Sequence, residues 1–348
     1  MKVIFAGDWR AKIELRLKQL AENRNLAPIF VPIRNLAWAA VLVRNFLNSI
    51  EEYCPPIPII SVGNITVGGT GKTPFVKWLV QRLSKLGHKP AILTPLGERD
   101  DETKEYSEDT TISKVYKVFA GRNRVVNAQR AIEWGATIIV LDDGFQYQSL
   151  HRDVDIVLWD STSLLSESNP FLREPLRNLK RATCIVLSKG DALSDEEQKR
   201  LKQKIEEWAG EGKVVASFGY EPYFDKSSIT DCFLVKDIGA RKILLVAGIA
   251  NLRYFLLTAL KAGFKSVAIV CFPDHHRYNH SDAKFIAEIA SAEGVDAVLT
   301  TKKDAVKLKN LWQSETPLVV LEVKLRWLWG EDEVWRIVER AIHRQGGR

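Results

Sequence analysis

The stretch SVGNITVGGTGKT, residues 61–73, constrains the fold more than any other part of the chain. Four of its thirteen residues are glycine, so the backbone there can approach a ligand closely. An apolar run precedes it, and residues 74–88 follow with the hydrophobic spacing of an amphipathic helix. A glycine-rich turn between a buried strand and a helix N-terminus is a typical phosphate-binding structure. The sequence therefore predicts a phosphate-binding loop, rather than a turn without a ligand.

The loop departs from the strict pattern G-x-x-x-x-G-K-[ST] at one position, because Thr66 replaces the first glycine. Lys72 is expected to reach the β- and γ-phosphates of a nucleotide, and the Thr73 hydroxyl is expected to bind Mg²⁺. The residues expected to bind the nucleotide are Thr66, Gly68, Gly69, Thr70, Gly71, Lys72 and Thr73.

An acidic pair follows a second apolar run, TIIVLDD at 137–143. Carboxylates at the carboxyl end of a parallel strand lie at the crevice where ligands bind. We therefore expect Asp142 or Asp143 to hold Mg²⁺, directly or through water. The alternative is an ordinary pair of surface acids in a turn.

The other apolar runs indicate the fold class, because Val, Ile and Leu without alternation are typical of strands buried on both faces. Helical segments separate these runs, which favours a parallel sheet. We predict an α/β fold: a P-loop NTPase-like parallel sheet flanked by helices, a second, smaller α/β domain and an N-terminal amphipathic helix. The expected strands lie at 57–64, 89–94, 137–143, 155–160, 183–189, 242–250, 265–272, 296–301 and 317–323. The predicted domains are 1–55, helical and membrane-associating; 56–230, nucleotide-binding; and 231–348, smaller and closing over the cleft.

The N-terminal segment is basic and amphipathic. Residues 1–50 contain eight Lys or Arg against three acidic residues, and apolar residues recur at helical spacing over 35–50. One interpretation is a helix packed on the domain. The other is an interfacial helix on an anionic membrane, with Arg34 and Arg44 near the headgroups.

Composition limits the partners. The 348 residues carry a net charge of +7, which suits an anionic partner, but they form no basic stripe interleaved with aromatic residues, so we expect no nucleic acid. The four cysteines form no CxxC pair, which favours a reducing compartment. The sequence contains no run of about 18 apolar residues, so we predict no transmembrane helix. The oligomeric state is not predicted.

Five segments occur in an order that resembles the tetraacyldisaccharide 4'-kinases: VGNITVGGTGKTP, LDDGFQYQSLHRD, LREPL, FPDHHRY and TTKKDAVKL, within about residues 55–310. The resemblance implies an ATP- and Mg²⁺-dependent kinase that phosphorylates the 4'-hydroxyl of a tetraacyldisaccharide 1-phosphate, forming lipid IVA in lipid A biosynthesis. It also implies a peripheral, monotopic protein on the cytoplasmic face of the bacterial inner membrane. The implied partners are an acylated disaccharide lipid and an anionic membrane surface.

The resemblance also implies roles for residues outside the loop. Arg173 and Glu174 match a pair beside the phosphates and the metal, and His275 matches a histidine that works with an aspartate at the acceptor hydroxyl. The family's G-D-E-P motif, which carries that aspartate, is replaced here, and Asp109 in Ser-Glu-Asp is the candidate base. The implied catalytic residues are Lys72, Asp109, Asp142, Asp143, Arg173 and His275. The implied metal ligands are Thr73, Asp142 and Glu174.

Two alternatives remain open on the sequence. Residues 188–191 read SKGD after an apolar strand, similar to a guanine-reading [NT]-K-x-D loop, so the chain is also consistent with a GTPase-like switch. The replaced G-D-E-P motif is also consistent with a paralogue that binds nucleotide and lipid without transferring phosphate.

Overall fold

The structure is a computed structural model that describes residues 2–6, 52–95, 106, 115–167, 169, 171–223, 242–249, 251–274 and 276–345. These residues divide into two compact units. The larger, loop-bearing unit contains the described residues from 52 to Gly219 and those from Leu325 onward. The smaller unit contains the described residues of Tyr220–Lys324 and the N-terminal strand. The predicted α/β class and the predicted P-loop NTPase-like sheet are confirmed.

The strands are β1 (Lys2–Phe5), β2 (Ile59–Gly63), β3 (Pro90–Thr94), β4 (Lys117–Ala120), β5 (Ile138–Asp142), β6 (Val154–Asp160), β7 (Cys184–Ser188), β8 (Val214–Tyr223), β9 (Lys242–Ala247), β10 (Lys265–Cys271), β11 (Ala297–Thr301) and β12 (Leu318–Trp329). The α-helices are α1 (Lys72–Lys85), α2 (Arg124–Glu133), α3 (Asp195–Ala209), α4 (Leu252–Lys261), α5 (His280–Ala292), α6 (Lys302–Leu308) and α7 (Glu331–Gln345). Short 3₁₀ helices occupy Leu176–Arg181, Gly190–Ala192 and Lys309–Leu311.

The loop-bearing unit is built on a parallel sheet in the order β8-β7-β6-β2-β5-β3-β4. Every residue of β2, β3, β5, β6 and β7 is buried, as the unbroken apolar runs predict. Because all these strands are parallel, their carboxyl ends share one edge of the sheet. The phosphate loop, the acidic pair and the SKGD segment all lie at that edge.

The smaller unit has its own parallel sheet, in the order β1-β10-β9-β11-β12. Apolar side chains cover both faces, with Phe255 and Leu299 on one side and Ile286 and Val298 on the other. This arrangement is the second α/β domain expected from the runs after residue 242.

The unit boundaries differ from the predicted domain boundaries at both ends of the chain and at the junction between the two larger domains. At that junction, residues 220–223 belong to the smaller unit, although the prediction placed them in the domain at 56–230. Lys2–Phe5 was assigned to the N-terminal helical segment, but it is a strand that pairs with β10, Lys2 opposite Ala268. The end of β12 and α7 were assigned to the C-terminal domain, but they lie in the loop-bearing unit because aromatic contacts hold them there. The strands β4 and β8 were not predicted. The helix expected at 35–50 lies outside the described residues.

Within the described ranges, no helix combines the length and the apolar character needed to cross a membrane.

An aromatic cluster fastens α1, the helix that begins at the phosphate loop. Trp78 lies 5.3 Å from Phe75, 5.0 Å from Trp327 and 6.4 Å from Trp335, measured between ring centroids. The Arg82 guanidinium stacks on the Trp335 ring at 4.3 Å and also forms an ion pair with Glu331. Tilted and edge-to-face aromatic pairs such as these contribute about 0.5–1.5 kcal/mol each beyond their buried area. The C-terminal helix therefore holds α1 in place.

Gly63, the last residue of β2, makes a close approach that sets the start of the loop. A Cβ atom at this position would lie 2.6 Å from Phe145 Cβ and 2.8 Å from Phe145 N, so a larger residue would force backbone apart. The glycine thus brings the phosphate loop against the segment after the acidic pair.

We predict that Gly63→Ala lowers the free energy of unfolding by about 1–3 kcal/mol, the usual cost of overpacking a core. It should also weaken nucleotide binding, because the displaced backbone carries the loop. Urea denaturation and calorimetric titration with ATP measure the two effects. Gly121→Ala is the matched control, since its Cβ would meet the side-chain amide of Asn127 at 2.7 Å rather than backbone. Equal losses in both variants would contradict the prediction.

Candidate active site

The phosphate loop owes its shape to two glycines. Gly68 has φ 115° and Gly71 has φ 82°, a region that side-chain-bearing residues rarely adopt. Gly71 is also the residue that precedes the first turn of α1. Thr66, by contrast, is not among the residues with positive φ, and it forms an antiparallel bridge with Leu172. This geometry explains why threonine is tolerated where the strict motif has glycine.

Hydrogen bonds hold the loop from within. Asn64 Nδ2 donates to Thr70 Oγ1 over 2.9 Å, and the Thr70 N–H donates to the Gly68 carbonyl over 3.0 Å. The Asn64 carbonyl accepts from Gln146 Nε2 over 2.7 Å. These groups are buried or half-buried, so the bonds are shielded from water and keep the loop in one conformation.

Lys189, which directly follows β7, supports the phosphate loop. Its ammonium donates to the Gly69 carbonyl over 2.8 Å and forms a buried ion pair with Asp160. Asp160 in turn accepts from the Thr162 N–H over 2.9 Å. Lys189 belongs to the SKGD segment, which resembles a guanine-reading loop. Its observed contacts support the phosphate loop, and they give no preference for one nucleobase over another.

A backbone pairing brings the LREPL segment to the loop. The Val67 N–H donates to the Phe171 carbonyl over 2.7 Å, and the Arg173 N–H donates to the Ile65 carbonyl over 2.7 Å. With the bridge between Thr66 and Leu172, these bonds form a short antiparallel ladder. The loop therefore fixes the position from which the Arg173 side chain extends.

Two cationic side chains meet at the Asp143 carboxylate. Arg173 Nη1 lies 2.9 Å from Asp143 Oδ1 and 3.0 Å from Oδ2, and Lys72 Nζ lies 3.3 Å from Oδ1. Asp143 has φ 54°, an uncommon conformation for a residue other than glycine. The structure thus brings together Lys72, Asp143 and Arg173, three of the residues predicted to act in catalysis.

Asp142 lies deeper, and two residues that the sequence analysis missed contact it. The Asp142 side chain is fully buried and accepts from the Tyr106 hydroxyl over 3.1 Å, while its carbonyl accepts from Arg124 Nη1 over 2.8 Å. The pKa of the Arg124 guanidinium is lowered from its ordinary value, because the effect of burial outweighs the opposite effect of the Asp142 and Asp143 charges. A basic residue in the first turn of a helix opposes the helix dipole, and this signal in the sequence could have identified Arg124.

Glu174 points one oxygen at protein donors and leaves the other without them. Its Oε2 accepts from Asn178 Nδ2 over 2.7 Å and from Arg181 Nη2 over 2.5 Å. Its Oε1 is buried and has no hydrogen-bond partner among the described residues. A buried carboxylate oxygen in this state is suited to a metal ion.

The predicted metal ligands fit Mg²⁺ by their chemistry. Thr73, Asp142 and Glu174 are all buried and offer only hard oxygen donors, which Mg²⁺ prefers.

The acceptor-side predictions, Asp109 and His275, lie outside the described residues. The neighbouring His276 is described: its Nε2 lies 2.9 Å from Asp282 Oδ2, and its ring stacks on Phe272 with centroids 4.7 Å apart. His276 therefore holds the start of α5.

Comparison with known proteins finds a family model and individual relatives that carry the same description. The sequence matches the family model for tetraacyldisaccharide-1-P 4'-kinase over residues 26–97 and 101–343. A tetraacyldisaccharide 4'-kinase of Halothermothrix orenii is 32% identical over 309 residues, covering 78% of this chain and 80% of that protein. One from Syntrophus aciditrophicus is 31% identical with the same coverage, 78% and 80%.

Among solved structures, LpxK from Aquifex aeolicus in complex with ATP is similar, with a TM-score of 0.61 and 24% identity. The match covers 91% of this chain and 99% of that one, and it supports the α/β fold described above.

We predict that Lys189→Met costs about 3–5 kcal/mol of unfolding free energy, because it leaves the buried Asp160 carboxylate without its cation. The double variant Asp160→Asn/Lys189→Met should regain much of this stability. It should still bind ATP more weakly than the wild type, because the bond to the Gly69 carbonyl remains lost. Urea denaturation and calorimetry measure both properties, with the exposed Lys199→Met as control. Wild-type ATP affinity in the double variant would show that Lys189 does not position the loop.

Proposed function

We propose that this chain, which belongs to the tetraacyldisaccharide-1-P 4'-kinase family, transfers the γ-phosphoryl group of ATP to the 4'-hydroxyl of a tetraacyldisaccharide 1-phosphate. The product is lipid IVA. The observation that carries the proposal is the meeting of Lys72, from the phosphate loop, and Arg173, from LREPL, at Asp143. Family membership favours this kinase activity over a GTPase-like switch and over a paralogue without transfer.

Charge neutralisation is the main task of the nucleotide side. Phosphoryl transfer spreads negative charge over three oxygens of the transferred group, so catalysis rests on positioning and electrostatics. The N–H groups of residues 68–71 and the N-terminus of α1 bind the phosphates, and Lys72 donates to the β- and γ-phosphate oxygens. Arg173 donates to the transferred group, and Asp143 positions both cations before the nucleotide binds.

Thr73, Asp142 and Glu174 would hold Mg²⁺. When bound, Mg²⁺ neutralises charge that develops on the β- and γ-phosphate oxygens. Arg124 and Tyr106 orient Asp142 through its carbonyl and its carboxylate, and Arg181 and Asn178 orient Glu174. These four residues fix the direction of the two carboxylates.

Asp109 and His275 act on the acceptor side in this proposal. Asp109 accepts the proton of the 4'-hydroxyl as that oxygen attacks, and His275 works with it. The support for His275 is the family resemblance of the segment FPDHHRY. The support for Asp109 is its position before FAGRNRV, the segment that follows the replaced motif in the family.

The protein works at a membrane surface in this proposal, peripherally, on the cytoplasmic face of the inner membrane. The supporting feature is the basic, amphipathic segment at 35–50, whose apolar face suits the interface and whose Arg34 and Arg44 suit anionic headgroups. The acylated substrate is itself held in such a surface.

We expect the purified protein, given ATP, Mg²⁺ and a tetraacyldisaccharide 1-phosphate, to add one phosphoryl group to the lipid, as measured by mass spectrometry. Lys72→Ala should lower the rate about 10²–10³-fold, by analogy with the loss of a donor that meets developing charge. Lys77→Ala, on the same helix, should retain activity. No transfer by the wild-type protein would refute the proposed function, and near-native turnover by Lys72→Ala would exclude the loop from the chemistry.

We expect Asp109→Asn to lower kcat strongly with little change in ATP affinity, because it removes a group used only on the acceptor side. His275→Ala should be about as harmful, and the double variant little worse than either, as for residues that act as a unit. Steady-state kinetics with Glu108→Gln as the control measures this. Fully additive losses would exclude the pairing and would leave Asp142 or Asp143 as the base.

We expect charge reversal at Arg34 and Arg44 to release the protein from anionic vesicles while ATP binding is kept. Wild-type binding should weaken with added salt, because screening shortens the reach of surface charge. Substitution is preferred to removal of residues 1–53, since removal would also delete β1 from the smaller unit's sheet. Co-sedimentation with vesicles measures the partition, and Lys199→Glu/Lys204→Glu is the charge-matched control. Equal partition of all variants would contradict the interfacial role.

A further inference from the structure

A second group of potential metal ligands lies just before β2 in the loop-bearing unit. Tyr53 pairs with Leu150 in an isolated parallel bridge. The Tyr53 N–H donates to the Ser149 carbonyl over 3.0 Å, and the His151 N–H donates to the Tyr53 carbonyl over 2.9 Å. Because alternate residues of an extended chain face the same side, Glu52 and Cys54 flank Tyr53 on one side.

The side chains of Glu52, Cys54 and His151 converge. One carboxylate oxygen, the thiol sulfur and one imidazole nitrogen all lie within 4.8 Å of one another. His151 Nδ1 lies 3.3 Å from Glu52 Oε1. In tetrahedral Zn²⁺ sites with metal–ligand distances of about 2.0–2.3 Å, neighbouring ligand atoms are roughly 3.3–3.8 Å apart. Small side-chain rotations therefore close this site around an ion.

The opposite edge of the imidazole also has a carboxylate near it. His151 Nε2 lies 3.9 Å from Asp153 Oδ1, and Asp153 Oδ2 accepts from the Ile59 N–H over 2.8 Å. Histidines that bind metal through one ring nitrogen commonly direct the other toward a carboxylate, which fixes the ring. The ring nitrogen that faces Glu52 is thus the one suited to the ion.

We propose that Glu52, Cys54 and His151 form a site for a zinc-class divalent cation, separate from the Mg²⁺ and nucleotide site. Thiolate, imidazole and carboxylate are the three ligand types that Zn²⁺ uses in proteins. A thiolate disfavours Mg²⁺, so the two sites take different ions. On binding, the Cys54 S–H bond gives its proton to solvent as the metal–sulfur bond forms, and a solvent molecule completes the four ligands.

The consequence is a cross-link between residues 52–54 and 149–151. The unfolded chain lacks this arrangement, so binding stabilises the folded state. The linked segments lie just before β2, which leads into the phosphate loop, and β6, whose last residue is Asp160. The ion fastens the entry of the chain into the sheet and takes no part in phosphoryl transfer.

The test is Co²⁺ and Zn²⁺ binding by the full chain with Mg²⁺ and ADP present, so that the nucleotide site is filled. Co²⁺ bound to a thiolate gives a charge-transfer absorption band that oxygen ligands do not give. Cys184 and Cys271 are buried, which raises the pKa of both thiols, and among the described residues neither has other potential metal ligands converging on it. The measurements use a Cys232→Ser background, in which the band reports on Cys54 alone.

We expect a band for about one Co²⁺ per chain, displaced by Zn²⁺, and a Zn²⁺-dependent rise in Tm. Cys54→Ser should abolish the band, and Glu52→Gln and His151→Gln should each weaken binding by about tenfold or more. The exposed His280→Gln in the other unit is the control and should bind as the background does. Absence of the band, or a band and affinity unchanged by Cys54→Ser or by His151→Gln, would overturn the proposal. Kinase activity is not the readout, so this result is independent of the proposed function.

Discussion

The antiparallel pairing between residues 65–67 and 171–173 is the interaction on which the candidate site depends. The two segments are about a hundred positions apart, and their backbone bonds of 2.7 Å bring Arg173 within reach of the acidic pair. The same pairing explains how Thr66 replaces a glycine, since that residue is extended and bridged rather than turned. An isolated helix N-terminus with a lysine would bind phosphate weakly. The ladder adds a second cation, Arg173, whose backbone is already fixed by main-chain bonds, so binding phosphate costs no further backbone entropy there.

Backbone strain is concentrated at the same edge of the sheet. Among the described residues, Asp143 and Lys189 are the ones other than glycine with positive φ, at 54° and 57°. Asp143 directly follows the buried strand β5, and its side chain contacts Lys72. Lys189 directly follows the buried strand β7, and its side chain contacts the Gly69 carbonyl of the phosphate loop. Such backbone conformations cost about 1–3 kcal/mol of stability each, and they persist where the surrounding contacts hold the residue in place. The ion pairs of Lys189 with Asp160 and of Asp143 with Arg173 are those contacts.

The sequence predicts most of the fold because its signals are local. Unbroken apolar runs give the central strands, and glycines with Gly-Lys-Thr give the loop. The missed features depend on distant partners. Lys2–Phe5 becomes a strand only because β10 is available more than 260 residues later, as Lys2 opposite Ala268 shows. Arg124 and Tyr106 reach Asp142 from segments whose own patterns carry no phosphate motif. The roles of Asp109, His275 and the segment at 35–50 stay predictions, resting on resemblance and composition.

The two aspartates after β5 are adjacent in sequence but differ in what they can do. Asp142 is fully buried, and its contacts with Tyr106 and Arg124 come from residues that are themselves buried. It can serve as a fixed ligand, because moving it would break bonds shielded from water. Asp143 is 14% exposed, and its partners are Lys72 at 7% and Arg173 at 17%. Two cations there share one carboxylate, which leaves a local excess of positive charge. A polyanionic triphosphate can draw both cations toward itself without leaving either unpaired, because each exchanges one anionic partner for another. Asp142, the fixed carboxylate, is thus suited to bind the metal. Asp143 is suited to release its two cations to the phosphates of the nucleotide.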